Sequence, residues 1–469
     1  MPPITVSEAT PPWPVPQIKL RIDDLDHEGV EIFLNAVNPK DVLRRAILAS
    51  FKWLYTPETA PPSVEEILLI LRPMGGVAHT MGSDTHKEIH FSLDYIVTSQ
   101  NRAEDEITGV LVHEVVHCFQ YDSNSTCPAG LVEGIADYVR LNEGFAPPHW
   151  RKSGGDWCDW DAGYDTTAYF LDWIEKKHGE GTIRKLNQRL KDGNYTNDLF
   201  RQITGADVDG LWNDYSATLG PGNGDESFNP KPEAARMAEP LKTWPVPKFH
   251  IRVEDIDHEG VDVFYGAIKL KDALHEAVMA SFNCLYTLET VPTNVKQILL
   301  VLRPMDGVAY TTGSSSHKEI HFSLDYIKGC ESRARDEIMG VLVHEVVHCY
   351  QYDGRGTCPG GLTEGIADFV RLRENLDPPH WQETSDGSWD AGYDTTAYFL
   401  HWIESSAGKD TVQKLNRLLK QDKYTDAIFT ELTGTPVDEL WANYSRHLEG
   451  KADGAEESVR NLARQQLNN

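Results

Sequence analysis

His113-Glu114-Val115-Val116-His117 sets two imidazoles four residues apart, with a carboxylate beside the first. Residues four apart on a helix lie one turn above each other, so both rings point the same way and can chelate one ion. Glu114 then lies beside that face, within reach of a water on the ion. His344-Glu345-Val346-Val347-His348 repeats the pattern. A tetrahedral catalytic zinc wants a third protein ligand and one open position. Downstream, Gly130-Leu131-Val132-Glu133-Gly134-Ile135-Ala136-Asp137-Tyr138 reads as a second helix bracketed by Pro128 and Gly144. A chain that turns back there can present Glu133 to the histidine pair, and Glu364 is its counterpart. Asp137, one turn later, could accept a hydrogen bond from a ligating imidazole. The chemistry expected of such a set is zinc-dependent hydrolysis, with one Zn2+ in each copy. Zinc brings the pKa of a water towards about 7, and Glu114 or Glu345 would act as general base.

The elements that must position these groups follow from local patterning. Ile107, Val110, Leu111, Val115 and Val116 form an apolar stripe through the first motif, which makes it a helix packed against a core. Asn38 followed by Pro39 caps an earlier helix, with apolar residues at helical spacing after it. Residues 19–22 read as an extended segment, Ile67–Leu71 as a short buried strand, and residues 75–80 and 88–93 as two strands around a turn. Strands first and helices from Arg102 onward predict an α+β domain, a small mixed sheet followed by a mostly helical half.

All of this occurs twice. An offset of 231 residues links Trp13 with Trp244 and holds to Trp150 and Trp381, with about three in five positions identical. After a two-residue deletion an offset of 229 runs from Tyr164 and Tyr393 to Leu219 and Leu448. A period this long means two whole domains rather than a solenoid. The expected boundaries are 13–219 and 244–448, joined by a Gly-, Pro- and charge-rich linker 220–243 and followed by a tail 449–469.

The chain of 469 residues carries 44 Lys+Arg against 72 Asp+Glu, a formal net charge of −28. That excess of acid argues against sequence-independent nucleic-acid binding, which needs cations to displace counterions from phosphate. It equally disfavours anionic membrane surfaces, and no segment offers the roughly 20 uninterrupted apolar residues of a span. The start shows no basic region followed by an apolar one, so the expectation is a cytoplasmic protein, the alternative being secretion by a route without a signal peptide. Seven cysteines are too few for a disulfide scaffold, although Cys118 with Cys127, and Cys349 with Cys358, could bridge. His86 and His90 are four apart in a strand, about 13 Å and too far to share an ion, so they read as ordinary surface and core histidines.

HisGluValValHisCysPheGlnTyr from His113, GluGlyIleAlaAspTyrValArg from Glu133 and TrpAspAlaGlyTyrAspThrThrAlaTyrPheLeu from Trp160 resemble the plant basic secretory protein family, also described as peptidases of plants and bacteria. The resemblance covers nearly all of each copy. It implies two zincin-like domains of the gluzincin group, with His113, His117 and Glu133, and His344, His348 and Glu364, as zinc ligands. By similarity to aminopeptidase-type gluzincins, Tyr164 and Tyr393 would stabilise the oxyanion. By similarity to zincins, the strand Glu88–Leu93 would be the edge that pairs with an extended substrate. The implied function is a zinc metallopeptidase acting on a peptide or protein. The competing reading is a non-catalytic, metal-containing defence-type or peptide-binding protein that uses the same clefts. This chain is strongly acidic, unlike the family's name.

Overall fold

The computed structural model of the chain describes residues 13–155, 158–219 and 244–451. The expected linker 220–243 and the tail beyond residue 451 lie outside the described residues. The chain divides into two compact units that follow the two copies, except that Ile251–Asp257 is grouped with the first.

In the first unit, β1 (Gln17–Ile22) alternates buried and less buried residues, with Ile18, Leu20 and Ile22 fully buried. Next comes α1 (Glu28–Ala36), a helix that apolar periodicity alone does not announce. The His27 side chain caps it, Nδ1 accepting from Gly29 N at 3.1 Å. The following helix, α2 (Pro39–Leu54), starts where expected: Asn38 Oδ1 accepts from Lys40 N (2.9 Å) and Asp41 N (3.3 Å). Then follow β2 (Glu66–Arg72), β3 (Ala78–Gly82) and β4 (His86–Ser92). Ser92 ends β4 by capping α3 (Leu93–Thr98), its Oγ accepting from Tyr95 N at 3.1 Å. The remainder of the unit is helical, led by α4 (Ala103–Phe119), α5 (Ala129–Asn142) and α6 (Tyr164–His178).

The four strands lie in the order β3-β4-β2-β1. Strands β1 and β2, and β2 and β4, are parallel, whereas β3 and β4 are antiparallel. The sheet is therefore mixed, and strand β4 is not an edge. Both its sides are taken, by β2 and by β3, so the expectation that Glu88–Leu93 forms the substrate edge is corrected: the edge is β3. Local alternation marked β4 as a strand, but a strand's place in a sheet is set by pairing partners remote in sequence. Val77 O accepts from Ser92 N and Ser83 N donates to His86 O, both at 2.9 Å. Odd-numbered residues of β3 thus spend their backbone groups on β4, while Ala78 and Thr80 turn theirs to the open edge.

Helix α4 is apolar almost all round. From Glu106 to Phe119 every residue except His117 is buried, as befits a core helix packed on β3, β4, α2 and α5. The second copy repeats the plan with strand order β5-β6-β8-β7, comprising β5 (Lys248–Val253), β6 (Gln297–Arg303), edge strand β7 (Ala309–Gly313) and β8 (His317–Ser323). After α7 (Thr182–Arg189), α8 (Asp198–Thr204) and α9 (Val208–Leu219) of the first copy come α10 (Glu259–Ala267), α11 (Leu270–Leu285) and α12 (Leu324–Gly329) of the second, whose site helices are α13 (Ala334–Tyr350), α14 (Gly360–Arg373) and α15 (Tyr393–Ala407). Among the described residues no helix is long and apolar enough to cross a membrane.

The cysteine pairings are not formed. All seven cysteines are free thiols. Cys118 turns into the core, where Sγ lies 3.7 Å from Glu114 O and burial pushes its pKa far up. Cys127 sits in the connection to α5, half-buried. His90 Nε2 lies 3.0 Å from Glu88 Oε2, and its ring stacks on that of His79 at 4.8 Å.

Candidate metal centre

Helix α4 presents His113, Glu114 and His117 to the cavity beside β3, and α5 runs back to bring Glu133 against them. His113 Nε2 and His117 Nε2 are 3.0 Å apart. Glu133 Oε2 lies 3.2 Å from the first and 3.7 Å from the second. The partners of the other ring nitrogens settle the tautomers. His113 Nδ1–H donates to Asp137 Oδ1 at 2.6 Å, and a carboxylate can only accept. His117 Nδ1–H donates to Gln120 Oε1 at 2.6 Å, because the Gln120 amide nitrogen is committed to Val132 O at 3.0 Å. Both Nε2 lone pairs therefore face each other and a carboxylate oxygen.

Three acceptors converging in this way repel unless a cation lies among them. Ligands at about 2.0–2.1 Å in tetrahedral geometry stand roughly 3.3 Å from one another, and the three observed separations bracket that value. The residues fit a metal ion. A proton can serve the same electrostatic purpose: burial opposes charge on His113, but hydrogen bonds to Asp137 and Glu133 outweigh it and raise the pKa to about 10. In that protonated, ion-free state, hydrogen bonding to His113 first and then to His117 holds the Glu133 carboxyl far below its usual range. The second copy matches, with separations of 3.0, 3.2 and 3.5 Å among His344, His348 and Glu364. Asp368 and Gln351 orient its imidazoles at 2.6 and 2.9 Å. These two triads are the His/Cys/Asp/Glu groups able to hold a metal ion among the described residues.

Orientation by Asp137 has a measurable consequence. Changing Asp137→Asn exchanges a charged acceptor for a neutral one that no longer raises the basicity of the ring. Metal affinity of the first site is expected to fall roughly 10–100-fold, which competition with a chromophoric chelator measures against the unchanged second site.

Glu114 is buried and held from the edge strand. Thr80 Oγ1 stands 2.7 Å from Glu114 Oε2 and 2.9 Å from the Glu114 carbonyl, so one hydroxyl fastens β3 to α4 and orients the carboxylate. Thr311 does the same for Glu345, at 2.7 Å. Sequence reasoning missed Thr80 and Gln120. Gln120 stands at the C-cap of α4 three residues after His117, a spacing that could have suggested it; Thr80, 34 residues before Glu114, gave no such signal.

Tyr164 heads α6 with φ 47°, and Tyr393 heads α15 with φ 46°, a backbone region costly for a residue with a Cβ. The turn before it leaves little choice. Gly163 has φ 90°, its N–H donates to Thr167 Oγ1 at 2.9 Å, and that hydroxyl donates to Trp160 O at 2.9 Å. A Cβ on Gly130 would overlap the Asp161 carbonyl, so only glycine lets α5 approach this turn. The Tyr164 ring projects into the cavity, 58% exposed. The Glu133 charge beside it, then partial burial, raises its pKa and keeps the hydroxyl a donor. The Tyr393 ring lies parallel to that of His344, centroids 6.5 Å apart.

These groups share one cavity of about 700 Å³ in the first unit and one of about 970 Å³ in the second. A scan against protein families matches residues 15–215 and 246–444 to the BSP family, peptidase of plants and bacteria. The chain belongs to this family. The two matched stretches cover most of the chain and correspond to its tandem duplication. Searches among curated proteins and among solved structures found no match. For a member of a family named for peptidases, a cavity that combines two imidazoles, two carboxylates and an exposed phenol beside an open strand edge contains groups suited to splitting an amide.

Proposed function

We propose that the protein is a zinc metallopeptidase of gluzincin type, with two zincin-like domains and two similar sites. The observation that carries this reading is the triad His113, His117 and Glu133, converging at tetrahedral spacing beside a buried, oriented Glu114. Zinc, when bound, acts as a Lewis acid that makes a water acidic enough to be deprotonated near neutrality.

The chain's own residues supply the rest. Thr80 engages Oε2 of Glu114, which leaves Oε1 to take the proton of the attacking water and later to deliver it to the leaving amine. The Tyr164 hydroxyl donates to the oxyanion that develops on the scissile carbonyl. An extended peptide or protein segment adds to the edge of β3 through the outward backbone groups of Ala78 and Thr80. His344, His348, Glu364, Glu345 and Tyr393 have the same roles in the second site. A protein that merely captured peptides would have no use for a base held in this orientation, which favours turnover over binding alone.

Elemental analysis of the purified chain is expected to find two zinc ions per molecule. Cleavage of a mixed peptide library should stop on chelation and return when zinc is added. Metal-free protein that cleaves at the full rate would sink this reading.

A further inference from the structure

Seventeen residues line each cavity, and sixteen of them are the same type in both. The exception is His79 on β3, replaced by Tyr310 on β7. Each ring stacks on the histidine across the strand pair, His79 on His90 at 4.8 Å and Tyr310 on His321 at 4.6 Å. The copies thus hold the reacting groups constant and vary a side chain on the edge strand.

A larger difference frames the cavity. Both walls contain the run ProProHisTrp, residues 147–150 and 378–381. In the first copy Ala146 precedes it and Arg151 and Lys152 follow. In the second, Asp377 precedes it and Gln382 and Glu383 follow. One rim therefore has two cations and no acid over these positions, the other two acids and no cation. Asp306, in place of Gly75, stands two residues before Val308, which lines the second cavity, and adds a third acid close to it.

These charges act next to the cavity. Arg151 Nη1 donates to the carbonyls of Pro148 (2.6 Å) and Trp150 (3.0 Å), which orient the guanidinium without neutralising it. Lys152 Nζ lies 5.4 Å from the centre of the Tyr169 ring, and that ring packs edge-on to Trp150 of the wall. In the second copy Tyr398 packs on Trp381 in the same way. Burial first raises the pKa of both phenols; Asp377 and Glu383 then raise that of Tyr398 further, while at Tyr169 Asp165 and Asp172 also raise it and Arg151 partly offsets them. Glu383 pairs with Lys451 at 2.7 Å, with both side chains substantially exposed; such a pair offsets part of its charge, and Asp377 and Asp306 keep the rim acidic.

We infer that the two sites divide substrates by charge, the first taking peptides rich in Asp and Glu and the second peptides rich in Lys and Arg. The inference rests on the peptidase reading and deepens it: one chemistry, two opposed selections. Complementary rim charge acts on encounter and binding more than on the chemical step, so the division belongs in KM and fades with added salt.

The test uses the full-length zinc-loaded protein in two single-site forms, Glu345→Gln to isolate the first site and Glu114→Gln to isolate the second. Each is incubated with one mixed peptide library, and the residues around every cleaved bond are read by mass spectrometry at low and high salt. The first form is expected to favour acidic over basic flanks by roughly three- to tenfold at low salt, and the second the reverse. Adding Ala146→Asp, Arg151→Gln and Lys152→Glu to the first form should move its preference to that of the second through KM, with kcat little changed. Lys152→Glu alone, at an exposed position, should move it part of the way. Cleavage by both forms with one charge profile overturns the division and leaves the peptidase reading standing. No cleavage by either form overturns both.

Discussion

Changing Glu114→Gln and Glu345→Gln together is expected to lower kcat by about a hundred- to ten-thousandfold, with zinc content and fold retained. Glutamine keeps the shape of the side chain and an oxygen for the Thr80 hydroxyl, which stands 2.7 Å from the carboxylate. An amide cannot take a proton from water at neutral pH, so only the proton transfer is lost, and general acid–base steps contribute effects of this size. Neither glutamate is in the metal triads, so two zinc ions should remain. Each single change leaves the other site at work, so the double variant is the decisive one. Measured kcat on the best library peptide, with zinc determined on the same sample, checks this. Unchanged kcat in the zinc-loaded double variant would remove Glu114 and Glu345 from the chemistry.

The second large effect concerns stability. Glu106 on α4 is buried, and its carboxylate receives Arg102 Nη1 at 2.6 Å, Arg140 Nη2 at 3.1 Å and the Tyr95 hydroxyl at 3.2 Å. Arg140 is buried as well, lines the cavity, and is otherwise held by Phe145 O at 3.0 Å and the Trp150 ring at 5.3 Å. Glu106→Ala leaves that guanidinium in the interior without its counter-charge. Breaking a buried pair from one side costs about 3–5 kcal/mol, or roughly 6–20 °C of melting temperature for a unit of this size. The second copy has the same network, with Glu337 receiving Arg371 Nη2 at 3.2 Å and Arg333 Nη1 at 2.8 Å, and serves as an internal reference. Calorimetry should resolve a first unit that melts earlier beside an unchanged second. A shift below about 1 kcal/mol would mean that water reaches Arg140 and replaces the carboxylate.

The residues differ in how visible their parts were beforehand. His113, Glu114 and His117 declared themselves because a helix converts spacing into facing. Asn38 marked the start of α2 for a similarly local reason, and Asp137 could be placed against an imidazole once it lay one turn beyond Glu133. Helix α1 was not visible: His27 caps it with a ring nitrogen, an uncommon use of histidine. Alternation in residues 88–93 says that a strand exists and nothing about its neighbours, so the open edge falls on β3 instead. Cys118 and Cys127 are close in sequence, yet one is turned into the core and the other sits in a half-buried connection.

By itself the sequence determined the duplication, the helical face bearing the two imidazoles and the carboxylate, and the second helix bearing Glu133, because repeats, helix period and end signals are all local properties of the chain. Only the tertiary structure decided that Glu133 reaches the imidazoles, that β3 and not β4 is the open edge, that Thr80 holds Glu114, and that opposite charges frame two otherwise matching cavities. Those outcomes depend on which elements pack together, and packing is settled by contacts between residues tens of positions apart.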